Sequence, residues 1–152
     1  PSRSGFDRFD RGLEFVVVGE LGPLAGDPGV LDPALSIDDE GAHAAVAETN
    51  LAYALWEFGR VGEALEHAER AVELDPRFGE AWYNRGLLLN ERGLAEDALN
   101  CFENAIRLGY RTADLLEEQA IALEAVGEDE RAQDVAEEAE AIREEQQEQL
   151  LE

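Results

Sequence analysis

Two histidines, one cysteine and 36 acidic residues are the groups in this 152-residue chain that could hold a metal, attack a substrate or move a proton. His43 and His67 fall in different helical stretches, and neither has a second histidine three or four residues away on the same helix face to share a metal. Cys101 stands alone, which excludes an internal disulfide and a Cys-based zinc cluster; its helical surroundings read as those of a small buried hydrophobe. Carboxylates are so abundant that a pair at glycosidase-like separation would arise by accident, and none is isolated in an apolar setting that would raise its pKa. The glycines between Gly19 and Gly26 are followed neither by Lys-Ser/Thr nor by a helix with basic partners, so they fail as a phosphate loop. Ser2, Ser4 and Ser36 lack a nearby histidine and a nucleophile-elbow pattern. No catalytic constellation remains. The expectation is a non-enzyme without metal or cofactor, acting through its surfaces.

Charge narrows the kinds of surface. The formal net charge of -24 opposes the phosphate backbone of nucleic acids, which is bound by Lys and Arg, and opposes anionic membranes for the same reason. All 12 basic residues are Arg, against 36 Asp and Glu. This acidic pattern resembles that of proteins from salt-accumulating halophiles. At about 1 M salt the Debye length falls to about 3 Å, so carboxylates that repel in dilute buffer are screened. No apolar stretch approaches the ~20 residues of a membrane span, and no basic region followed by an apolar core opens the chain, which points to a cytoplasmic location. A chain of this length forms one domain that buries about 68–70% of the surface exposed when unfolded.

The elements that position these surfaces are repeated. Gly59, Gly93 and Gly127 lie 34 residues apart, each between two segments of helical apolar periodicity. A glycine at that place marks a helix end that needs a left-handed backbone. The same shift superposes Ala52, Gly86 and Ala120, and likewise Leu55, Leu89 and Leu123. After the glycine it superposes Ala64, Ala98 and Ala132, then Ala68, Phe102 and Ala136, then Ala71, Ala105 and Ala139. Steps of four and three residues put these on one helix face.

On these residues the chain resembles the tetratricopeptide repeat family, whose signature runs Trp, Leu-Gly, Tyr, then Ala, Phe, Ala and a closing Pro. The middle repeat reads Trp82, Arg85-Gly86, Leu89, Ala98, Phe102 and Ala105, and the first closes with Asp75-Pro76. Tyr110 stands where the first repeat has Pro76, so the second junction turns by Gly109. Glu48 and Leu116 replace the tryptophan and Gln119 an apolar residue, which makes the third repeat the weakest match, as suits a terminal repeat facing water. Glu117, Glu118, Glu124, Glu128 and Glu130 are expected to supply that outer face. The resemblance implies an all-α fold: a right-handed α-solenoid of three helix-turn-helix repeats, about 45–78, 79–112 and 113–146, with an N-terminal extension.

Helices are expected near 42–58, 62–75, 79–92, 96–108, 113–126 and 129–149, the last fraying from Glu144 to Glu152. Residues 1–41 lie outside the repeat. Phe6, Phe9 and Leu13 favour a helix from about 5 to 19 that covers the first repeat's open face, against a competing strand at Phe15–Val18. A Gly/Pro-rich loop follows as far as Gly41.

In a solenoid the first helix of each hairpin lines the concave side. Helical spacing assigns Thr49, Asn50, Tyr53, Trp56 and Glu57 to that face in repeat one. Repeat two supplies Glu80, Tyr83, Asn84, Leu87, Asn90 and Glu91, and repeat three Asp114, Glu117, Glu118, Ile121 and Ala125. Trp82 is expected at the interface between helices. Similar asparagines in family members hold a peptide main chain, so the resemblance makes Asn50 and Asn84 binding candidates, with Tyr53, Trp56, Tyr83, Leu87, Asn90, Glu91 and Glu118 around them. Thr49, Tyr53, Asp114 and Glu118 stand where a carboxylate clamp would want amide and basic groups, so that function is not supported. The expected partner is a protein or peptide segment carrying basic and apolar residues. Self-association through residues 1–41 or the last helix is the alternative; a regulatory role beside a catalytic domain of a longer protein is another.

Overall fold

The computed structural model describes residues 37–152. Within them six helices follow one another: α1 Ile37–Glu57, α2 Val61–Leu74, α3 Gly79–Glu91, α4 Ala95–Arg107, α5 Ala113–Ala125 and α6 Asp129–Leu151. They pack as three antiparallel hairpins, α1 with α2, α3 with α4 and α5 with α6. Neighbouring hairpins stack through α2 against α3 and α4 against α5. The first helices α1, α3 and α5 also touch in sequence, whereas among the described residues α2, α4 and α6 do not touch one another. The array therefore closes up on the first-helix side and opens on the other, which is the curvature of an α-solenoid.

The 34-residue period is a period of helix ends. Gly59, Gly93 and Gly127 have φ of 76°, 76° and 83°. At each, the next residue's N–H reaches back five residues, from Arg60 to Leu55, Leu94 to Leu89 and Glu128 to Leu123, all at 2.9 Å. These bonds satisfy carbonyls that the ending helix leaves open and turn the chain into the second helix. Thr112 caps α5, its hydroxyl oxygen accepting from the Leu115 N–H at 3.2 Å.

Small residues set how closely the hairpins pack. Phe102 is fully buried, and a Cβ built on Gly86 would lie 2.6 Å from its Cε1. The large residue of α4 thus sits against the one glycine in a column that holds Ala52 and Ala120 in the other repeats, each opposite alanines of its own partner helix. Trp82 packs with Ala71, Val72, Ala81 and Phe78 between α2 and α3, donating its indole N–H to the Pro76 carbonyl at 2.8 Å. Cys101 is buried in the main core.

Five of the six helices both start and end within two residues of expectation. The exception is α1, which begins at Ile37, so residues 37–41 are helix rather than loop. Gly41 lies inside it, close against the Leu74 carbonyl, where it acts as a point of close packing instead of a helix break. α6 stays helical to Leu151, although beyond Ile142 every residue is exposed. The expected helix over 5–19 and the loop up to residue 36 lie outside the described residues.

Candidate functional site

The concave side holds an open groove of about 530 Å³. From α1 it receives Asn50, Tyr53 and Trp56, and from α3 Glu80, Tyr83, Asn84, Leu87 and Glu91. α5 adds Asp114, Glu117 and Glu118, and the turn before it adds Tyr110. Steps of three and four along α3 carry Glu80, Tyr83, Asn84, Leu87 and Glu91 down one face, so a single helix runs the floor from end to end.

The structure thus brings together eight of the nine candidate binding residues. Asn90 is elsewhere: its side-chain amide donates to the Glu118 carbonyl oxygen at 2.9 Å and to Glu118 Oε2 at 3.1 Å, joining α3 to α5. Thr49 is also withdrawn from the groove. It is 2% exposed, and its hydroxyl donates to the Ala45 carbonyl at 2.7 Å, inside its own helix. Glu117 and Glu118 face the groove in preference to the outer surface; the terminal hairpin's water-facing side is α6, where only Ala132 and Ala139 are buried.

Tyr110 entered the groove without a helical pattern to announce it. It is seated by Gly79, the first residue of α3: a Cβ there would come within 2.6 Å of the tyrosine's own Cβ. Tyr110 then stands 5.6 Å from Tyr83, ring centre to ring centre, with the planes inclined by 32°. On the opposite wall Tyr53 and Trp56 pair at 5.4 Å. A Gly in the first turn of α3 followed by Glu80 was the available signal, and it reads as such only once the α4–α5 turn is known to lie above it.

Most of the groove's carboxylates already have partners. Arg143, from α6, binds Asp114 Oδ1 at 2.9 Å and Glu117 Oε2 at 2.8 Å. Trp56 donates its indole N–H to Glu91 Oε1 at 2.6 Å. Burial pushes the Glu118 carboxyl above its usual range; the Asn90 hydrogen bond pulls it back, and the charges of Glu91, Glu117 and Asp114 push it up further. Glu80 is raised by burial alone. The Tyr83 and Tyr110 hydroxyls are raised chiefly by burial and then by neighbouring carboxylates, Asp114 and Glu118 for the first and Glu80 for the second, so both stay protonated donors at neutral pH.

The two asparagines differ from their surroundings. Asn84 is 7% exposed and makes no side-chain hydrogen bond with the described chain. The Asn50 amide nitrogen is buried without a partner. A buried amide nitrogen left unpaired costs about 1–3 kcal/mol, and Asn50 and Asn84 line the same groove.

Elsewhere on the described surface, His67 is tied to Glu48, Nδ1 to Oε2 at 2.5 Å, as a link between α2 and α1. No helix among the described residues is long and apolar enough to cross a membrane.

Residues 49–99 match the model of the tetratricopeptide repeat family. An uncharacterised protein of Methanocaldococcus jannaschii is 43% identical over 44 residues, which make up 29% of this chain and 51% of that one. The chain therefore spans about half the length of the curated relative it matches. Among solved structures, YrrB, a TPR protein with an unusual peptide-binding site, superposes with a TM-score of 0.62 at 25% identity, covering 66% of this chain and 52% of its own. MamA gives 0.61 at 20% identity, with 76% and 64% covered. The C-terminal TPR-containing domain of a Plasmodium falciparum FK506-binding protein gives 0.57 at 20%, with 83% and 90% covered. The last two speak for the fold alone. Residues 49–99 thus carry the tetratricopeptide repeat across α1 to α4, and the same helical hairpin is carried on through α5 and α6.

Proposed function

We propose that this chain is a protein-interaction scaffold that holds an extended segment of a partner protein along the groove of α1, α3 and α5. The observation that carries this reading is that Asn50 and Asn84 line the same groove from two neighbouring helices without side-chain hydrogen bonds among the described residues, the Asn50 amide nitrogen being buried and unpartnered. An amide both donates and accepts, which matches the alternating N–H and C=O of an extended main chain. With no segment bound, the buried Asn50 nitrogen weakens the fold; a main chain in the groove would satisfy it and pair with the Asn84 amide.

The walls define the segment's side chains. Four aromatic rings and Leu87 favour apolar or aromatic anchors, and the carboxylates favour basic residues while repelling acidic ones. At high salt long-range attraction is screened, so contacts within the groove carry the affinity. YrrB's peptide-binding site supports the analogy without supplying the partner.

The test is affinity capture from source lysate at molar salt, comparing the wild type with Asn50→Ala/Asn84→Ala. Because neither amide has an internal partner, the double variant loses no hydrogen bond of the fold, and its urea midpoint beside that of the wild type separates binding from folding. A protein retained by the wild type and lost by the variant supports the reading and identifies the ligand. Equal retention moves the site off the groove, and recovery of the chain alone favours self-assembly.

A further inference from the structure

Glu80 is the carboxylate in the groove that nothing offsets. Asp114 and Glu117 share Arg143, Glu118 takes the Asn90 amide and Glu91 takes the Trp56 indole. Glu80 has neither an ion pair nor a hydrogen bond among the described residues, and it is half-buried. Its place in the first turn of α3 suits a negative charge, but the helix end softens that charge without cancelling it. Burial holds its carboxyl above the usual range. An uncompensated, partly desolvated anion weakens the fold, and a cation from outside would offset it.

The surroundings select the cation. One turn along the same helix face, Asn84 is more than nine-tenths buried, unpaired, and lines the same groove. Tyr83 and Tyr110 stand beside Glu80 as a tilted ring pair. A flat, weakly hydrated guanidinium stacks on such rings and pairs with a carboxylate through its fork, whereas a compact ammonium gives up more hydration to enter. We infer that Glu80, Tyr83 and Tyr110 form a subsite for one arginine side chain of the bound segment, one helical turn from the main-chain contact at Asn84. This inference rests on the groove reading above and adds to it the identity and place of a required side chain.

The test uses two acetylated, amidated heptapeptides, Ala-Ala-Leu-Arg-Leu-Ala-Ala and the same sequence with citrulline, which keeps the shape of arginine without its charge. Binding is followed by ¹⁵N chemical shifts at about 1 M sodium chloride, where a contact ion pair survives but long-range attraction does not. The arginine peptide should bind the wild type about tenfold more tightly than the citrulline peptide, the difference expected for a charge-assisted hydrogen bond. In Glu80→Gln that preference should fall to about onefold, while Asn84→Ala weakens both peptides alike. Equal binding of the two peptides by the wild type, or a preference that persists in Glu80→Gln, overturns the subsite and leaves the groove reading standing so long as Asn84→Ala still weakens both. No saturable shift with either peptide overturns the subsite and counts against the groove as well.

Discussion

Asn90 of α3 bonds to Glu118 of α5 twice, through the backbone carbonyl at 2.9 Å and through Oε2 at 3.1 Å, so one side chain clamps two repeats across 28 residues of sequence. It does for the α3–α5 contact what the Trp56 indole does for α1–α3 by bonding Glu91. The concave face is held in shape by side chains bridging neighbouring first helices.

Asn90→Ala should therefore lower stability by about 1 kcal/mol, the net value of a partly buried hydrogen bond, without direct loss of a groove contact. Urea unfolding at molar salt measures this. An unchanged midpoint would show that the clamp carries no load.

Gly86→Ala should destabilise the fold even though alanine is the better helix former. Overpacking a filled core costs about 1–3 kcal/mol against about 0.5–1 kcal/mol gained in the helix, because the new methyl meets the fully buried Phe102 ring. In Gly86→Ala/Phe102→Leu the two changes should be less damaging together than their separate costs summed, a coupling read from a double-mutant cycle. Strict additivity would disconnect the two positions.

Thermal stability should climb steeply from dilute buffer to molar sodium chloride, since a net charge of -24 repels itself less as the Debye length shrinks. Differential scanning calorimetry over that range measures it. A flat response would remove the halophilic reading and leave the fold untouched.

Glu80→Gln should stabilise the protein at neutral pH. Burial raises the Glu80 carboxyl in the folded state, so the folded protein takes up its proton more readily than the unfolded chain does. The ionised form costs stability above the folded value, and acidification towards the ordinary carboxylate range relieves that cost. Glu118, raised in the same direction, adds to the trend. The gain from Glu80→Gln should thus be largest near pH 7 and shrink towards about pH 4, where the wild-type carboxyl is protonated as well. Urea midpoints of both proteins across that range decide it; a gain independent of pH would exclude titration of Glu80 as its source.

Cys101 should resist thiol reagents in the folded protein and react fully once unfolded. It is 2% exposed, and burial pushes its thiol up to about 11, so little thiolate forms and none is accessible. The labelling rate with a disulfide reagent, with and without denaturant, measures the contrast. Rapid labelling of the folded state would show that α4 opens away from α3.

Periodicity alone determined that this chain is a stack of helical hairpins. The glycines at a 34-residue interval need a left-handed backbone wherever they occur, and the alanine columns follow from helix geometry, so both are local consequences of residue type. The direction of each face was local too, which is why Asn50, Tyr53, Trp56, Tyr83, Asn84 and Leu87 could be named from spacing. What lies opposite a face is not local. Asn90 and Thr49 point within a helical wheel much as their neighbours do, but one is met by Glu118 and the other turns to its own backbone. Tyr110 sits in a turn with no periodicity, and only the approach of that turn to Gly79 puts it beside Glu80. The charge balance of the groove was decided last, by Arg143 arriving from α6 to hold Asp114 and Glu117 while leaving Glu80 unpaired. Spacing along a chain sets the angle at which a side chain leaves its helix; only packing sets the distance to its partner, and hydrogen bonds and ion pairs are lost within an ångström or two of that distance.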